Sequence, residues 1–372
     1  MALTQVEISG VSQTGNNNVF AQTGPFKNRI INGDMRIDQR NAGASVTVNV
    51  NTDVYSVDRF LSAGQSSDGV FTVQRSATAP AGFTNSLLAT VTTADASIGA
   101  AQYYFIAHKI EGFNCADLNF GTASASTVTL SFWVRSSLTG TFGGALANGG
   151  YTRSYPFTYT INAANTFEYK TITIQGDSSG TWLTDNGIGL RIYWDLGTGT
   201  DNRATAGAWT GSGRIGATGS TNWIGTNGAT FYITGVQLEV GSTATPFERR
   251  SYGQELALCQ RYYQKSYEIG TVPGTSTFTN AVNTFGTAAA STAGTIGATA
   301  YFRVEMRTTA TKSIWDTSGN AGKVTANPYG SSVVTNNSGT VVSTASNLIT
   351  VERSSGTNCN GIIYHYTASA EL

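Results

Sequence analysis

Two short glycine-containing motifs have the residue types and spacing of known catalytic or cofactor sites. Gly176-Asp-Ser-Ser-Gly180 matches the G-x-S-x-G elbow of serine hydrolases, and Gly211-Ser-Gly-Arg-Ile-Gly216 matches the dinucleotide-binding fingerprint. An elbow needs a strand before it and a helix after it, and the fingerprint needs a βαβ unit, whereas both matches lie in loops of a β-rich region. With 43 glycines in 372 residues, both patterns are expected by chance, and neither predicts a site.

The ionisable residues also lack the spacing of a catalytic or metal site. His108 and His365 each lie alone in an alternating strand, where a packed or edge histidine is far more common than a base or ligand. Four loop acids are close enough in sequence to supply the two carboxylates of a glycoside hydrolase, although turn acids more often accept local amide hydrogen bonds: Asp177, Asp185, Asp195 and Asp201. We expect no catalytic residue, no metal ligand and no cofactor, and thus no enzyme.

The aromatic residues, at 11% of the chain with six tryptophans, are more informative. A sugar presents flat C–H faces that stack on exposed rings, beside polar groups that bind its hydroxyls. Four rings lie in Gly/Thr/Asn/Asp-rich segments and are candidates for such a glycan-binding site: Tyr151, Trp182, Trp209 and Trp223. Packing of these rings against the edge of a sandwich is the more common alternative. Trp194 shares the parity of Ile192 and is expected in the core.

The elements that must position these rings are β-strands. From residue 28 to 248 apolar and polar residues alternate, as in half-buried strands. Thr127 to Arg135 is the clearest run, and similar runs cover 69–75, 102–112, 168–175, 187–196 and 230–240. Turn-forming residues separate the runs, which predicts antiparallel strands. The expected fold is mainly β, with a jelly-roll β-sandwich over 28–248 followed by a short helix and a smaller C-terminal β-sandwich domain.

A connecting helix is predicted over residues 249–268. Ser251 and Gln254 have the spacing of a capping box, and four apolar residues behind them recur at intervals of four and three: Tyr252, Leu256, Cys259 and Tyr263. This face either packs on its own domain or forms a coiled-coil-like seam at the interface of a homotrimer. Strand patterns return in the smaller domain, over 269–372, at 301–307, 347–353 and 361–367.

The composition excludes several classes of partner. Lys and Arg number 22, Asp and Glu also number 22, and charged residues make up 12% of the chain, half of the roughly 25% that is usual. No basic face for nucleic acid or anionic lipid is expected, and no apolar segment predicts membrane insertion or a signal peptide. Three widely spaced cysteines predict neither a disulfide framework nor a zinc site, which indicates assembly in a reducing compartment.

The first 27 residues are polar and lack apolar periodicity. They cannot bury enough apolar surface to fold alone, so we expect an arm, from Met1 to Lys27, that becomes ordered on a partner.

Several phrases of the sequence resemble the tail-fibre and related virion proteins of tailed bacteriophages. They are Asn28-Arg-Ile-Ile-Asn-Gly-Asp-Met-Arg-Ile-Asp-Gln-Arg40, Tyr55-Ser-Val-Asp-Arg-Phe60, Lys109-Ile-Glu-Gly112, Leu130-Ser-Phe-Trp-Val-Arg-Ser-Ser137, the segment 235–248, the predicted helix 251–263 and the ending 366–372. The resemblance implies a jelly roll similar to carbohydrate-binding modules. It also implies a homotrimer that is exposed on the virion surface and takes part in host recognition. Together with the cysteines, the polar first segment and the loop aromatics, this leads us to expect assembly in the host cytoplasm, binding to other virion proteins through residues 1–27 and contact with host surface polysaccharide.

Two alternatives to a tail fibre or tail tip remain open from the sequence. The segment before the jelly roll is short for a projecting fibre, which also suits a capsid-surface decoration protein or capsid fibre. A module of a polysaccharide-degrading enzyme is the other alternative, although the resemblance brings no catalytic motif with it.

Overall fold

The computed structural model describes residues 27–285, 295–328, 333–354 and 359–372. The predicted arm therefore lies outside the described residues except for Lys27. The ammonium group of Lys27 donates hydrogen bonds to the Thr245 hydroxyl at 2.6 Å and to the Pro246 carbonyl at 2.7 Å. The last residue of the predicted arm is thus bound to the end of the predicted jelly-roll range.

The larger part of the fold contains fourteen of the described strands. They are β1 (Val46–Val48), β2 (Val54–Val57), β3 (Phe60–Gly64), β4 (Val70–Ser76), β5 (Ser86–Thr93), β6 (Tyr103–Glu111), β7 (Val128–Ser136), β8 (Gly140–Asn148), β9 (Ser154–Ile161), β10 (Glu168–Ile174), β11 (Ile188–Thr198), β12 (Arg203–Ala204), β13 (Gly216–Ala217) and β14 (Thr230–Val240). The order β1-β4-β5-β14-β7-β10 forms one six-stranded antiparallel sheet, and β2-β3-β6-β11-β8-β9 forms the other. The predicted jelly-roll sandwich is confirmed.

Alternation of side chains explains how the two sheets enclose one core. In β7, Val128, Leu130, Phe132 and Val134 are fully buried on the inner face, as the period-two pattern predicts. Trp194 in β11 is also fully buried, and its ring centroid lies 5.8 Å from that of Phe132 in the opposite sheet. The expected core position of Trp194 is confirmed.

The predicted helix is present but shorter than expected. It is α1 (Tyr252–Gln260), and Ser251 forms the predicted capping box with Gln254. The chain then turns into β15 (Tyr263–Lys265), so Tyr263 is a strand residue and not part of the helical face. The helix packs against the irregular segment 28–45 because Cys259 and Tyr262 form a buried cluster with Ile31 and Ile37.

The smaller C-terminal part is built around one long strand. Its remaining strands are β16 (Val282–Phe285), β17 (Thr295–Tyr301), β18 (Thr311–Trp315), β19 (Lys323–Pro328), β20 (Val334–Ser338), β21 (Thr340–Val341), β22 (Leu348–Ser354) and β23 (Cys359–Ser369). Strand β23 pairs with β15, β16, β18 and β19, while β17, β22 and β21 form a separate sheet. Both sheets contribute to one apolar cluster that includes Ile314, Val351 and Tyr364. The predicted β fold of this C-terminal part is confirmed.

One predicted strand in this part is wrong. The run 301–307 alternates, yet β17 ends at Tyr301 and no ladder continues. The backbone amides of Phe302 and Met306 instead bond the carbonyls of Asn347 and Ser346, and the amide of Arg307 bonds the carbonyl of Arg261. These long-range bonds turn the segment away from the sheet. The predicted strands at 347–353 and 361–367 are confirmed as β22 and β23.

Largely buried ion pairs join the C-terminal end of the described chain to the jelly roll, at a contact that we call the junction. Glu371 accepts hydrogen bonds from Arg40, at 2.9 Å, and from Arg59. The Arg59 guanidinium lies 3.6 Å from the ring centroid of Tyr262, and that of Arg40 lies 3.7 Å from the ring of Tyr263. The junction therefore combines two cation–π contacts with a carboxylate shared by two arginines.

Among the described residues no helix has the length and apolar character required to span a bilayer.

Candidate functional site

Three loops at one end of the sandwich bring Trp182 and Trp209 together. Trp182 lies between β10 and β11, Trp209 lies between β12 and β13, and their ring centroids are 5.5 Å apart at an interplanar angle of 86°. Phe120, from the loop between β6 and β7, contacts both rings edge-on at 4.9 Å and 5.9 Å. Both tryptophans are half-buried, so each ring packs on the sandwich and is also accessible to solvent.

Backbone hydrogen bonds hold the two indole rings in place. The Trp182 indole N–H donates to the Ser179 carbonyl at 3.0 Å, and the Trp209 indole N–H donates to the Gln175 carbonyl at 2.7 Å. The residue after Trp209, Thr210, forms a two-way bridge with Ser154 at the start of β9. The rings are therefore anchored before any ligand arrives, which lowers the entropy cost of binding.

A polar groove opens beside Trp209, and we call it the Trp209 groove. It encloses about 370 Å³, within the range of about 300–1,000 Å³ that is typical of small-molecule sites. Its lining contains hydroxyl, amide and charged side chains beside one indole ring: Thr122, Ala123, Ala125, Thr127, Arg153, Gln175, Gly176, Asp177, Ser178 and Trp209. This is the mixture of ring and hydrogen-bonding groups that a carbohydrate requires.

One ion pair lies within the groove. Arg153 donates from Nε and Nη2 to the two carboxylate oxygens of Asp177, each at 2.7 Å. Asp177 is 2% exposed and also accepts a hydrogen bond from the Ser179 amide at 3.1 Å. Hydrogen bonding to this carboxylate raises the pKa of Arg153. The two side chains thus form a rigid, doubly hydrogen-bonded pair.

The G-x-S-x-G motif has a structural role in this groove. A Cβ atom at Gly176 would lie 2.6 Å from the backbone of Ala125, and Gly180, with a φ of +83°, would place one 2.4 Å from Cγ of Arg153. Both glycines therefore permit close packing of the groove wall. Neither histidine lies there: His108 contacts Ile31, and His365 contacts Ser266.

Two of the other candidate acids accept hydrogen bonds from nearby residues. Asp185 lies in a loop and accepts from the Gly187 amide. Asp195 is not a loop residue as expected, because it is fully buried within β11, where it accepts from the Gly197 amide and the Thr198 hydroxyl. Burial lowers the pKa of His108 well below its ordinary value and also lowers that of His365.

The other two predicted glycan-binding rings lie elsewhere. Tyr151 is exposed, but it does not line the groove; its hydroxyl bonds that of Tyr193, and the Arg191 guanidinium lies 4.5 Å from its ring centroid. Trp223 is fully buried, with ring centroids 6.0 Å from Phe71 and 6.4 Å from Phe231. The prediction of an open ring at Trp223 is therefore wrong, because the loop before β14 folds this side chain between the two sheets.

The predicted trimer face is also only partly free. Tyr252 is 43% exposed and Leu256 is half-buried, so both are accessible on the helix. Cys259 is fully buried against the segment 28–45, and Tyr263 is 6% exposed beneath Arg40. Cys259 and Tyr263 therefore pack within this chain and cannot form the predicted seam.

Several groove residues were not predicted from the sequence as a site, notably Arg153, Thr127 and Gln175. Arg153 and Asp177 each stand in a loop-like segment, but no local pattern shows that the two side chains pair. The candidate site therefore combines Trp182 and Trp209, which were predicted, with polar residues that only the fold places beside them.

Comparisons with known proteins give low similarity. No protein-family model and no curated protein match the chain. Among solved structures, the enzymatically active domain of tailspike protein 4 from bacteriophage CBA120 is 13% identical, with a TM-score of 0.31, over 59% of this chain and 22% of that one. A putative sugar-binding protein from Bacteroides thetaiotaomicron is 11% identical, with a TM-score of 0.33, over 57% of this chain and 100% of that one.

A carbohydrate-binding module shows the same level of similarity. The family 11 module from Clostridium thermocellum, in complex with a mixed-linked β-1,3-1,4 tetrasaccharide, is 10% identical, with a TM-score of 0.27, over 54% of this chain and 98% of that one. The solved structures that resemble this chain thus include a phage tailspike domain and carbohydrate-binding modules.

Proposed function

We propose that this chain is a non-enzymatic virion protein of a tailed bacteriophage, a trimeric tail fibre or tail tip that contacts host surface glycans through the Trp209 groove. The observation that carries the glycan part is the anchored pair of Trp182 and Trp209 beside a groove lined with hydroxyl and amide groups. The phage part is supported by the resemblance of the sequence phrases from Asn28 onward to tail-fibre proteins.

The chemistry of the groove suits a sugar better than other small molecules. The half-exposed Trp209 ring offers an apolar surface on which the C–H face of a pyranose can stack. The side chains of Thr127, Gln175 and Ser178 make no hydrogen bond to any other described residue, so their donors and acceptors remain available. A ligand rich in hydroxyl groups can satisfy these groups while one of its faces covers the ring.

A binding role rather than hydrolysis is supported by where the ionisable groups lie. Asp177, the carboxylate that lines the groove, is bound on both oxygens by Arg153. Glycoside hydrolysis requires a carboxyl group that can transfer a proton and a second carboxylate facing it. We therefore expect the protein to retain bound polysaccharide without shortening it.

The proposed trimer would make a weak site effective. A single groove of this size gains modest affinity, but three linked copies raise the effective concentration at a polymeric glycan. The exposed Tyr252 and half-buried Leu256 on α1 remain available for contact with another copy. Light scattering of the purified protein should give three times the chain mass, and a monodisperse monomer at micromolar concentration would contradict the trimer.

The glycan proposal is tested by substitution of one tryptophan in the groove and one on the outer face of the sandwich. Trp209→Ala should weaken adsorption of the protein to host cells, and its affinity for a panel of purified bacterial surface polysaccharides, at least about tenfold, the loss expected for a central aromatic contact. Trp133→Ala is the matched control, because Trp133 is also half-buried but lies on the outer face of β7, where it contacts Tyr169. Equal loss in both variants, or none in Trp209→Ala, would contradict a glycan site in the groove.

A further inference from the structure

We infer that the Trp209 groove selects uncharged sugars over acidic ones. Its two charged side chains are bound to each other, whereas its neutral hydrogen-bonding side chains are free to bind a ligand. This inference rests on the proposed function and names the class of glycan that the site would take.

The first step concerns charge. Arg153 and Asp177 are the charged residues among those that line the groove, and they are bound to each other through two hydrogen bonds of 2.7 Å. The groove therefore carries one cation and one anion and no net charge. A sugar carboxylate entering it meets no unpaired cation among the lining residues.

The second step concerns geometry. Recognition of a carboxylate by arginine is strongest when two parallel N–H groups of the guanidinium face its two oxygens. In Arg153 the Nε and Nη2 edge already faces Asp177 in this manner. To use that edge, an acidic sugar would have to displace Asp177 and leave a nearly buried carboxylate without its partner, which is strongly unfavourable. An acidic sugar that did not displace Asp177 would still lie close to its negative charge.

The third step concerns the groups that remain free. The hydroxyls of Thr127 and Ser178 and the amide of Gln175 are not bonded to other described side chains or backbone groups, and all three line the groove. Each can both donate and accept, which matches sugar hydroxyls, whereas a carboxylate can only accept. The groups that are free to bind a ligand in the groove are thus uncharged, whereas its two charged groups are already bound to each other.

The test compares each glycan with its own uncharged form. A panel of acidic bacterial capsular polysaccharides is assayed before and after chemical reduction of the carboxyl groups to hydroxymethyl groups, so that each carboxylate is replaced by an uncharged hydroxyl while the rest of the polymer is kept. The wild-type protein should bind the reduced form at least about tenfold more tightly than the native form. Its affinity for the reduced form should change little between about 50 mM and about 500 mM salt, since no ion pair forms with the ligand.

Two variants isolate the ion pair as the cause. Asp177→Asn leaves the Arg153 guanidinium unpaired and should raise affinity for the native acidic forms at least about tenfold. The double variant Arg153→Gln with Asp177→Asn, which keeps shape and polarity without a charge, should not show this gain. If Asp177→Asn fails to fold, the wild-type comparison of native and reduced polymers still decides the matter.

The outcomes separate the two proposals. If the wild-type protein binds native acidic forms as tightly as reduced ones, and Trp209→Ala weakens both, the selectivity is wrong while the glycan site stands. If neither form binds and Trp209→Ala adsorbs to host cells normally, the proposed function itself is wrong.

Discussion

The Trp209 groove and the junction are built from the same kinds of groups but differ in exposure. Each contains an arginine, a carboxylate and an aromatic ring: Arg153 and Asp177 beside Trp209 in the groove, and Arg59 and Glu371 beside Tyr262 at the junction. The Arg153 side chain is 20% exposed, whereas that of Arg59 is 1% exposed. In the groove the pair lines a surface open to solvent, and at the junction it joins two parts of the chain.

Burial also changes the protonation chemistry of the junction. Asp58, beside Arg40, is buried, and desolvation raises its pKa to about 6 despite the nearby guanidinium. Burial likewise raises the pKa of the Tyr262 phenol. Groups of one chemical type can thus line a solvent-open groove at one place and stabilise the packing of two parts of the chain at another, and the solvent exposure of the pair distinguishes the two.

The largest expected difference between the two regions is the cost of neutralising the carboxylate. Glu371→Gln should lower the free energy of unfolding by about 3–5 kcal/mol, because the buried Arg59 guanidinium and the half-buried Arg40 guanidinium lose their shared partner. Asp177→Asn should lower it by only about 1–2 kcal/mol, since the Arg153 side chain can be hydrated. Urea unfolding measures both values, and equal losses would contradict the proposed role of exposure.

Removal of the aromatic rings should separate stability from binding. Tyr262→Ala should lower the free energy of unfolding by about 3 kcal/mol, because the ring is fully buried under Arg59 and its hydroxyl donates to Glu111 at 2.6 Å. Trp209→Ala should lower the free energy of unfolding by about 1–2 kcal/mol, because the Trp209 ring is only half-buried.

The two variants should rank in the opposite order when adsorption to host cells, rather than stability, is measured. Folded Trp209→Ala should adsorb poorly, while folded Tyr262→Ala should adsorb as the wild-type protein does. Loss of adsorption in proportion to unfolded protein in both variants would place the binding surface outside the groove.

The junction should also make stability depend on pH through His108. This side chain is fully buried, and burial, followed by the charge of Arg59, holds its pKa well below 6.5. The unfolded chain binds a proton at His108 below about pH 6.5 and the folded chain does not, so its contribution to stability falls with acidification by about 1.4 kcal/mol per pH unit. Because the unfolded histidine is only half protonated at pH 6.5, the difference in unfolding free energy between the wild-type protein and His108→Gln should narrow by about 1 kcal/mol from pH 6.5 to 5.5.

Measuring the difference in unfolding free energy between the wild-type protein and His108→Gln removes the effect of Asp58. That residue stabilises the fold on acidification, whereas His108 destabilises it. The folded Asp58 carboxyl takes up its proton near pH 6 and the unfolded one near pH 3.8, so acidification through pH 6 stabilises the fold at that residue. Asp58 is present in both proteins, and its contribution cancels in the difference. Trp209→Ala, which changes only the groove, should retain the pH dependence of stability seen in the wild-type protein. A difference in unfolding free energy between the wild-type protein and His108→Gln that stays constant with pH would contradict the role assigned to His108.

The smallest predicted changes in stability come from substitution of one serine in each region. Ser251 caps α1, which packs at the junction, and its hydroxyl accepts the Gln254 amide. Ser251→Ala should therefore lower the free energy of unfolding by about 1 kcal/mol. Ser178→Ala in the groove should change stability by less than about 0.5 kcal/mol, because its exposed side chain makes no hydrogen bond to another described residue. Thermal unfolding of both variants measures the two changes in stability, and an equal loss in both would contradict the capping role of Ser251.

Most of the jelly roll could be predicted because each strand carries its own pattern. The run that became β7 alternates in the sequence and needs only its neighbours in the sheet to be buried on one face. The run 301–307 alternates as well, but hydrogen bonds to Asn347 and Ser346 replaced a ladder. Alternation predicts a strand only where a partner edge is available, and that depends on distant parts of the chain.

The candidate site was less predictable than the strands. Trp209 and Trp223 stand in similar glycine- and threonine-rich segments, yet one is half-buried beside a groove and the other is fully buried between the sheets. The Arg153–Asp177 pair joins two loops and leaves no local pattern in either.

The sequence by itself determined the β class, most strand positions, the start of α1 at its capping box and the neutral, hydroxyl-rich character of the surface. These features depend on residues that are close in sequence, so local periodicity and composition are sufficient to encode them. The tertiary structure alone decided which loop tryptophans remain accessible, which arginine pairs with which acid, and that the chain turns from α1 into β15 before Tyr263. Those outcomes depend on the burial and desolvation of groups that meet only when the sheets and loops pack together.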